Sequence, residues 1–110
     1  MLFVSLEDFF AQASGIQRIS REQEKDLALC MAAGDETARE TLIRSYLPMA
    51  ANYVRRLPKE MQTLSAAYTC LAAVEKGVDT FNFLQDSETF IHHLSWRLRQ
   101  AITRCIADRS

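Results

Sequence analysis

An all-α fold, a compact bundle of about five helices, is what this 110-residue sequence predicts. Three observations carry the prediction. Turn formers are scarce, with three glycines and two prolines in the whole chain, and no Asn-Gly or Asp-Gly hairpin signal occurs. Alanine, leucine, glutamate and arginine, all strong helix formers, recur throughout. Apolar residues return every three or four positions, the period of a helix half-sunk in a core. A chain of this length is expected to make one domain over residues 1–110, with N-terminal helices to about residue 34 and the rest of the bundle beyond.

The elements follow in order. Leu6, Phe9, Phe10 and Ala13 keep helical spacing and predict a first helix over about 6–12, broken near Gly15. In "SREQEKDLALCMAAGD", Ser20 and Gln23 have the spacing of a capping box, in which each side chain satisfies a backbone amide of the other. Leu27, Cys30 and Met31 form the expected inner face, and Gly34 ends the helix in the left-handed conformation. Asp35 caps "ETARETLIRSYLPMAANYVRRL", whose stripe runs through Leu42, Ile43, Tyr46, Leu47, Ala50, Tyr53, Val54 and Leu57. A mid-helix proline costs about 3 kcal/mol or more, but this stripe crosses Pro48 without losing phase, so a kink is expected. After Pro58, Met61, Leu64, Tyr68, Leu71 and Val74 predict another helix, ending near Gly77. "VDTFNFLQDSE" reads as a loop anchored by Phe81 and Phe83. Asp86 or Ser87 is placed to cap a last helix, with Phe90, Leu94, Leu98, Ala101, Ile102, Cys105 and Ile106 inside.

The net charge of −1 conceals an asymmetry. Residues 1–40 hold four basic and eight acidic side chains, and residues 89–110 hold four arginines and one aspartate. An acidic end and a basic end suit a protein that meets two different surfaces. Cys30, Cys70 and Cys105 are odd in number and far apart, so neither a zinc site nor a disulfide framework is expected. They read as small core hydrophobes of a reducing compartment. With no basic leader and no apolar run near 20 residues, the chain is expected to be soluble and cytoplasmic, with no membrane contact. His92 and His93 point about 100° apart and cannot share a metal. No nucleophile-base set, carboxylate pair or Gly-rich phosphate loop is present, so no enzyme, cofactor or metal is expected. Arg55, Arg56 and Lys59 form a small basic cluster that could touch DNA phosphate, although as the last turn of a helix it is expected first to complement the negative pole.

The outward face of the last helix carries the most chemistry. Trp96, Gln100 and Thr103 fall on one line, flanked by Arg97, Arg99 and Arg104. Glutamine can pair bidentately with adenine, and threonine can bond a base edge or touch a thymine methyl. Arginines hold phosphates and set register, and tryptophan offers a platform for an unstacked base. A solvated helix face shows the same mixture, and Trp96 could instead pack beneath the 78–86 loop, so the pattern alone leaves both readings open.

Four stretches in order add a resemblance. "WRLRQAITRCIAD" resembles the promoter-recognition helix of the primary sigma factor family of bacterial RNA polymerase. "AVEK" at Ala73–Lys76 looks like the end of that family's polymerase-binding helix. "GDETARETLIRSYLPMAANYVRRL" is similar to the helix before it, and "ISREQEKDLALCMAAGD" to the short region preceding that. The resemblance implies a helical domain that docks on the clamp helices of the polymerase's largest subunit and recognises and melts the minus-ten promoter element. It implies base-pair reading by Gln100 and Thr103, and fork contact by Trp96. It gives Phe90 and His93 as aromatic-type positions ahead of it, and Arg97, Arg99 and Arg104 near the DNA. Leu64, Ser65, Tyr68 and Glu75 are the polymerase-binding positions it implies.

Departures from the family pattern are equally specific. Arg97 stands where the family has a second tryptophan, and His93 where it has tyrosine. Leu64, Ser65 and Ala66 replace a polar, acidic Gln-Glu-Gly stretch, and the loop before Phe90 is about five residues longer than usual. The sequence stops at Ser110, short of the helix-turn-helix domain of the family. These departures give an alternative expectation. On that reading the module serves as a protein-interaction or regulatory subunit, a split sigma partner or decoy, joined by a separate helix-turn-helix protein.

Overall fold

The computed structural model describes residues 1–84 and 89–109, the side chain of Arg109 excepted. It is all-α: six α-helices and a single 3₁₀ turn, with no strand among the described residues. The helices are α1 (Leu6–Ser14), α2 (Arg21–Ala32), α3 (Glu36–Ser45), α4 (Leu47–Arg55), α5 (Leu64–Thr80) and α6 (Phe90–Arg109). The 3₁₀ turn, Lys59–Met61, follows Pro58.

Local chemistry sets most of the boundaries. The Ser5 hydroxyl accepts from the Asp8 amide to start α1. The Ser20–Gln23 capping box starts α2 with both reciprocal bonds formed. Gly34 adopts φ 98°, a conformation in which a side chain would be strained. The Asp35 carboxylate then accepts from Thr37 and Ala38 to start α3.

The expected kink at Pro48 is a complete break. Helix α3 ends at Ser45, Tyr46 takes φ −105° and ψ 7°, and Pro48 occupies the first turn of α4. A proline ring collides with the carbonyl four residues earlier, here Arg44, but its missing N–H costs nothing in a first turn. The apolar stripe stays in phase because both helices face one core. Every member from Leu42 to Leu57 is buried.

Gly77 does not end α5, which runs on to Thr80, so 78–80 belong to the helix and the loop begins at Phe81. A Cβ on Gly77 would lie 3.4 Å from Leu94 Cδ1 and 3.6 Å from Phe90 Cε1. The glycine therefore lies inside the α5–α6 contact. Phe81 and Phe83 anchor the chain beyond as expected, their ring centroids 5.3 and 4.8 Å from that of Phe90. Asp86 and Ser87, the expected caps of α6, lie outside the described residues. The Thr89 hydroxyl accepts from the His92 amide at 3.3 Å.

Two expected inner-face residues point outward. Cys30 is exposed, because α2 packs on its Leu27–Ala28–Met31 side and Cys30 lies well round from that line. Ile106 is 43% exposed, about a quarter-turn from the Leu94–Leu98–Ala101 line that meets α5. Of the three cysteines only Cys70 is buried, and Cys105 is half-buried. No described helix is long and apolar enough to cross a membrane.

Candidate functional site

Helix α6 presents three faces in sequence round its circumference. Phe90, Leu94, Leu98 and Ala101 form the buried face. Trp96, Gln100 and Thr103 form an exposed face, with Arg99 and Ala107 beside them lining a shallow concavity. Arg97 and Arg104 lie between the two, roughly a quarter-turn from Trp96, where α6 borders α5.

The exposed face is chemically available. Trp96 is 50% exposed and does not lie beneath the 78–84 segment, whose aromatics pack against Phe90 and His93. Gln100 makes no hydrogen bond among the described residues, leaving both amide functions free. Thr103 is committed in part: its hydroxyl donates to the Arg99 carbonyl at 2.9 Å. The oxygen can still accept, and the methyl remains exposed.

The other expected nucleic-acid residues divide. Phe90 is 1% exposed, its ring 4.8 Å from those of both Tyr46 and Phe83. It is a core residue here because it shares the Leu94–Leu98 line of the helix, so direct base contact is closed to it. His93 is half-buried against Phe81 at 5.1 Å. Arg97 is drawn back toward the body, donating through Nε to His93 Nε2 at 3.0 Å and through Nη2 to the Thr80 hydroxyl at 3.1 Å. Arg99 and Arg104 are exposed.

The four expected polymerase-binding residues lie on two lines of α5. Leu64, Tyr68 and Glu75 keep one line and are each half-buried. Leu64 packs on the core. The Tyr68 hydroxyl accepts from the Phe3 amide at 2.9 Å, so the N-terminal segment is pinned beside it. Ser65 is exposed and begins a second line, Ser65–Thr69–Ala72–Lys76.

Beyond Ser65 that second line had no place among the expected site residues, and it faces α6 across an open groove of about 500 Å³. Ala73 and Ala101 floor the groove, and Tyr68, Arg97, Gln100 and Arg104 complete its walls. The groove thus joins the two expected sets, Ser65 and Tyr68 from one and Arg97, Gln100 and Arg104 from the other. The repeat of small residues, Ser65, Thr69 and Ala72, ending in Lys76 at steps of four, three and four was the sequence signal for it.

Sequence reasoning also missed the joint at Tyr46. This residue links α3 to α4, its ring packs on Phe90, and its hydroxyl donates to Glu24 of α2. Burial, first, and that bond hold the phenol well above its ordinary ionisation range. One turn beyond Lys76 on α5, Asp79 forms a two-pronged ion pair with Arg39 of α3 at 2.7 and 2.8 Å. The guanidinium hydrogen bonds hold the Asp79 carboxyl below its usual range. Among the described residues no group of three potential metal ligands comes together.

The fold and this surface define a small all-α module whose last helix offers an exposed tryptophan, a free glutamine and unpaired arginines. Over 103 residues, 93% of its length, the chain is 29% identical to "RNA polymerase sigma factor SigA" of Clostridium acetobutylicum. It is thus a sigma-factor-like region. It spans 27% of that relative's length. No family model matches the chain, and no solved structure does.

Proposed function

We propose that this chain is a transcription-initiation module that binds RNA polymerase core through α5 and minus-ten promoter DNA through α6. The observation that carries the proposal is the coincidence of likeness and exposure. The positions that resemble a promoter-reading helix, Trp96, Gln100 and Thr103, are the exposed ones, while their neighbours at Phe90, Leu94 and Leu98 make the core. Gln100 reads an adenine edge through its two free amide functions. Thr103 contributes its acceptor oxygen and methyl. Arg99 and Arg104 hold phosphates on either side, and Trp96 supports an unstacked base.

Strand opening by this module is weak. Arg97 offers no stacking platform where a second tryptophan would, and each lost base-aromatic stack is worth about 1–3 kcal/mol. Arg97 instead ties α6 to the end of α5 through Thr80. On α5 the half-buried Leu64 and Tyr68 support the surface, and Ser65 and the groove beside it meet the polymerase. Function in the cytoplasm, without a membrane or cofactor, completes the proposal.

The test is retention of purified core enzyme on the immobilised chain, with Trp96→Ala and Gln100→Ala alongside. Retention by all three is expected, because Trp96 lies outside the groove and Gln100 only borders it, leaving the α5 side of the contact intact. Failure of the unsubstituted chain to retain core would overturn the polymerase-binding half.

A further inference from the structure

From the groove between α5 and α6 we infer a specific partner chemistry: it seats an acidic α-helix of a protein partner. This rests on the proposal that α5 binds protein and goes beyond it by assigning the sign and shape of what is bound.

The charge is one-sided. Ten residues line the groove, and three of them, Lys76, Arg97 and Arg104, are cationic while none is acidic. Among the described residues the Arg39–Asp79 pair is the ion pair formed, and neither partner lines the groove. Lys76 and Arg104 therefore have no carboxylate partner within the described chain, and Arg97 donates to His93 and to the Thr80 hydroxyl. At the start of α5 stand Leu64, Ser65 and Ala66, none of them acidic. The adjoining cleft toward the start of α5, lined by Met61, Thr63, Ser65, Thr69 and Cys105, carries a single acid, Asp108. The cationic end thus lies toward Lys76, and this polarity sets the direction of the partner.

The shape is that of a helix seat. Ala72, Ala73 and Ala101 keep the floor shallow, so the ridge of a third helix can lie between α5 and α6 at ordinary packing distance. Ser65, Thr69 and Gln100 on the walls supply hydrogen-bonding groups to the polar flank of such a helix. A nucleic-acid strand fits less well. Trp96, the exposed platform a base would need, lines the separate concavity on the outer face of α6 and not this groove. The two sides of α6 then serve different partners, DNA on the Trp96 side and a protein helix on the Arg97 side, and Arg104 and Gln100 border both.

The test uses the full chain and two fluorescein-labelled amphipathic peptides of about 18 residues, long enough for roughly 27 Å of helix. One carries glutamates along its contact face, and the other carries lysines at the same positions. Fluorescence anisotropy should show tighter binding of the glutamate peptide, weakening with salt. Lys76→Glu with Arg104→Glu should lower that affinity by about tenfold or more and raise affinity for the lysine peptide. Unchanged helicity by circular dichroism would place the loss in the groove. Equal binding of the two peptides, or displacement of the glutamate peptide from wild type by a single-stranded oligothymidine at lower concentration than by unlabelled peptide, would overturn the inference. The peptide assay contains no polymerase. Loss of core retention with peptide selectivity intact would therefore count against the polymerase proposal and not against this one.

Discussion

Replacing Phe90 with alanine separates two roles that the sequence left together. In the structure Phe90 is 1% exposed and meets Tyr46, Phe81 and Phe83 at centroid distances of 4.8, 5.3 and 4.8 Å. Truncating a phenylalanine so placed costs about 3–5 kcal/mol, the transfer term plus the cavity left behind. Lost ring-ring contacts take the effect toward the upper end of that range. A domain of this size has about 5–15 kcal/mol in total, so the variant should fold only marginally. With a urea dependence near 2 kcal/mol per molar, the unfolding midpoint should fall by about 2 M, read by far-ultraviolet circular dichroism. Trp96→Ala, at a half-exposed site, should move stability by no more than about 1 kcal/mol. DNA affinity measured below the transition should weaken strongly for Trp96→Ala and only through unfolding for Phe90→Ala. A Phe90→Ala variant that unfolds beside wild type yet fails to bind DNA would refute the core assignment.

Further predictions follow from other sites. Gly77→Ala should raise stability by about 0.5–1 kcal/mol, since the position is mid-helix and the new methyl meets Leu94 at an ordinary 3.4 Å; a lower thermal midpoint would mean that the helices cannot accommodate it. Cys70, buried and with its thiol pushed up to about 12 by desolvation first and by Cys105 second, should resist alkylation in the folded protein. Exposed Cys30 should be alkylated well before Cys70, and mass spectrometry of digests would check both. Asp79 has a lowered folded pKa, so its contribution is present above the unfolded value near 3.9 and is lost as pH falls through the folded one. Asp79→Asn should flatten that acid limb of the stability curve, and an unchanged limb would show that another carboxylate governs it.

How much was legible from the residues depended on the range of the physics involved. Caps were readable because they act over three residues: Ser20 with Gln23, Gly34 and Asp35 all took the expected roles. The stripe from Leu42 to Leu57 was readable because one core imposes one phase on both helices. The break at Tyr46 was not, since the stripe reports which side is buried and not whether the backbone bends across Pro48. Gly77 looked like a helix end by type alone; α5 runs past it to Thr80 because the surrounding turns pack on α6, which residue type does not report. Cys30 and Ile106 were misplaced for a related reason, since apolar spacing on α2 and α6 admitted a wider stripe than their neighbours cover. On the functional surface, Trp96, Gln100 and Thr103 were legible as an outward line. The groove was not, because it belongs to two helices, and Lys76 gains meaning only beside Arg97 and Arg104.

The central claim is that the exposed side of α6 reads promoter DNA, and binding of a minus-ten fork fragment by the chain together with polymerase core tests it most directly. The account predicts a complex that Gln100→Ala with Thr103→Ala weakens by about tenfold or more, at about 1–3 kcal/mol for each well-made base contact. The weakening should be larger on the minus-ten sequence than on a scrambled one. Equal affinity of the double variant and the unsubstituted chain for both sequences would contradict it.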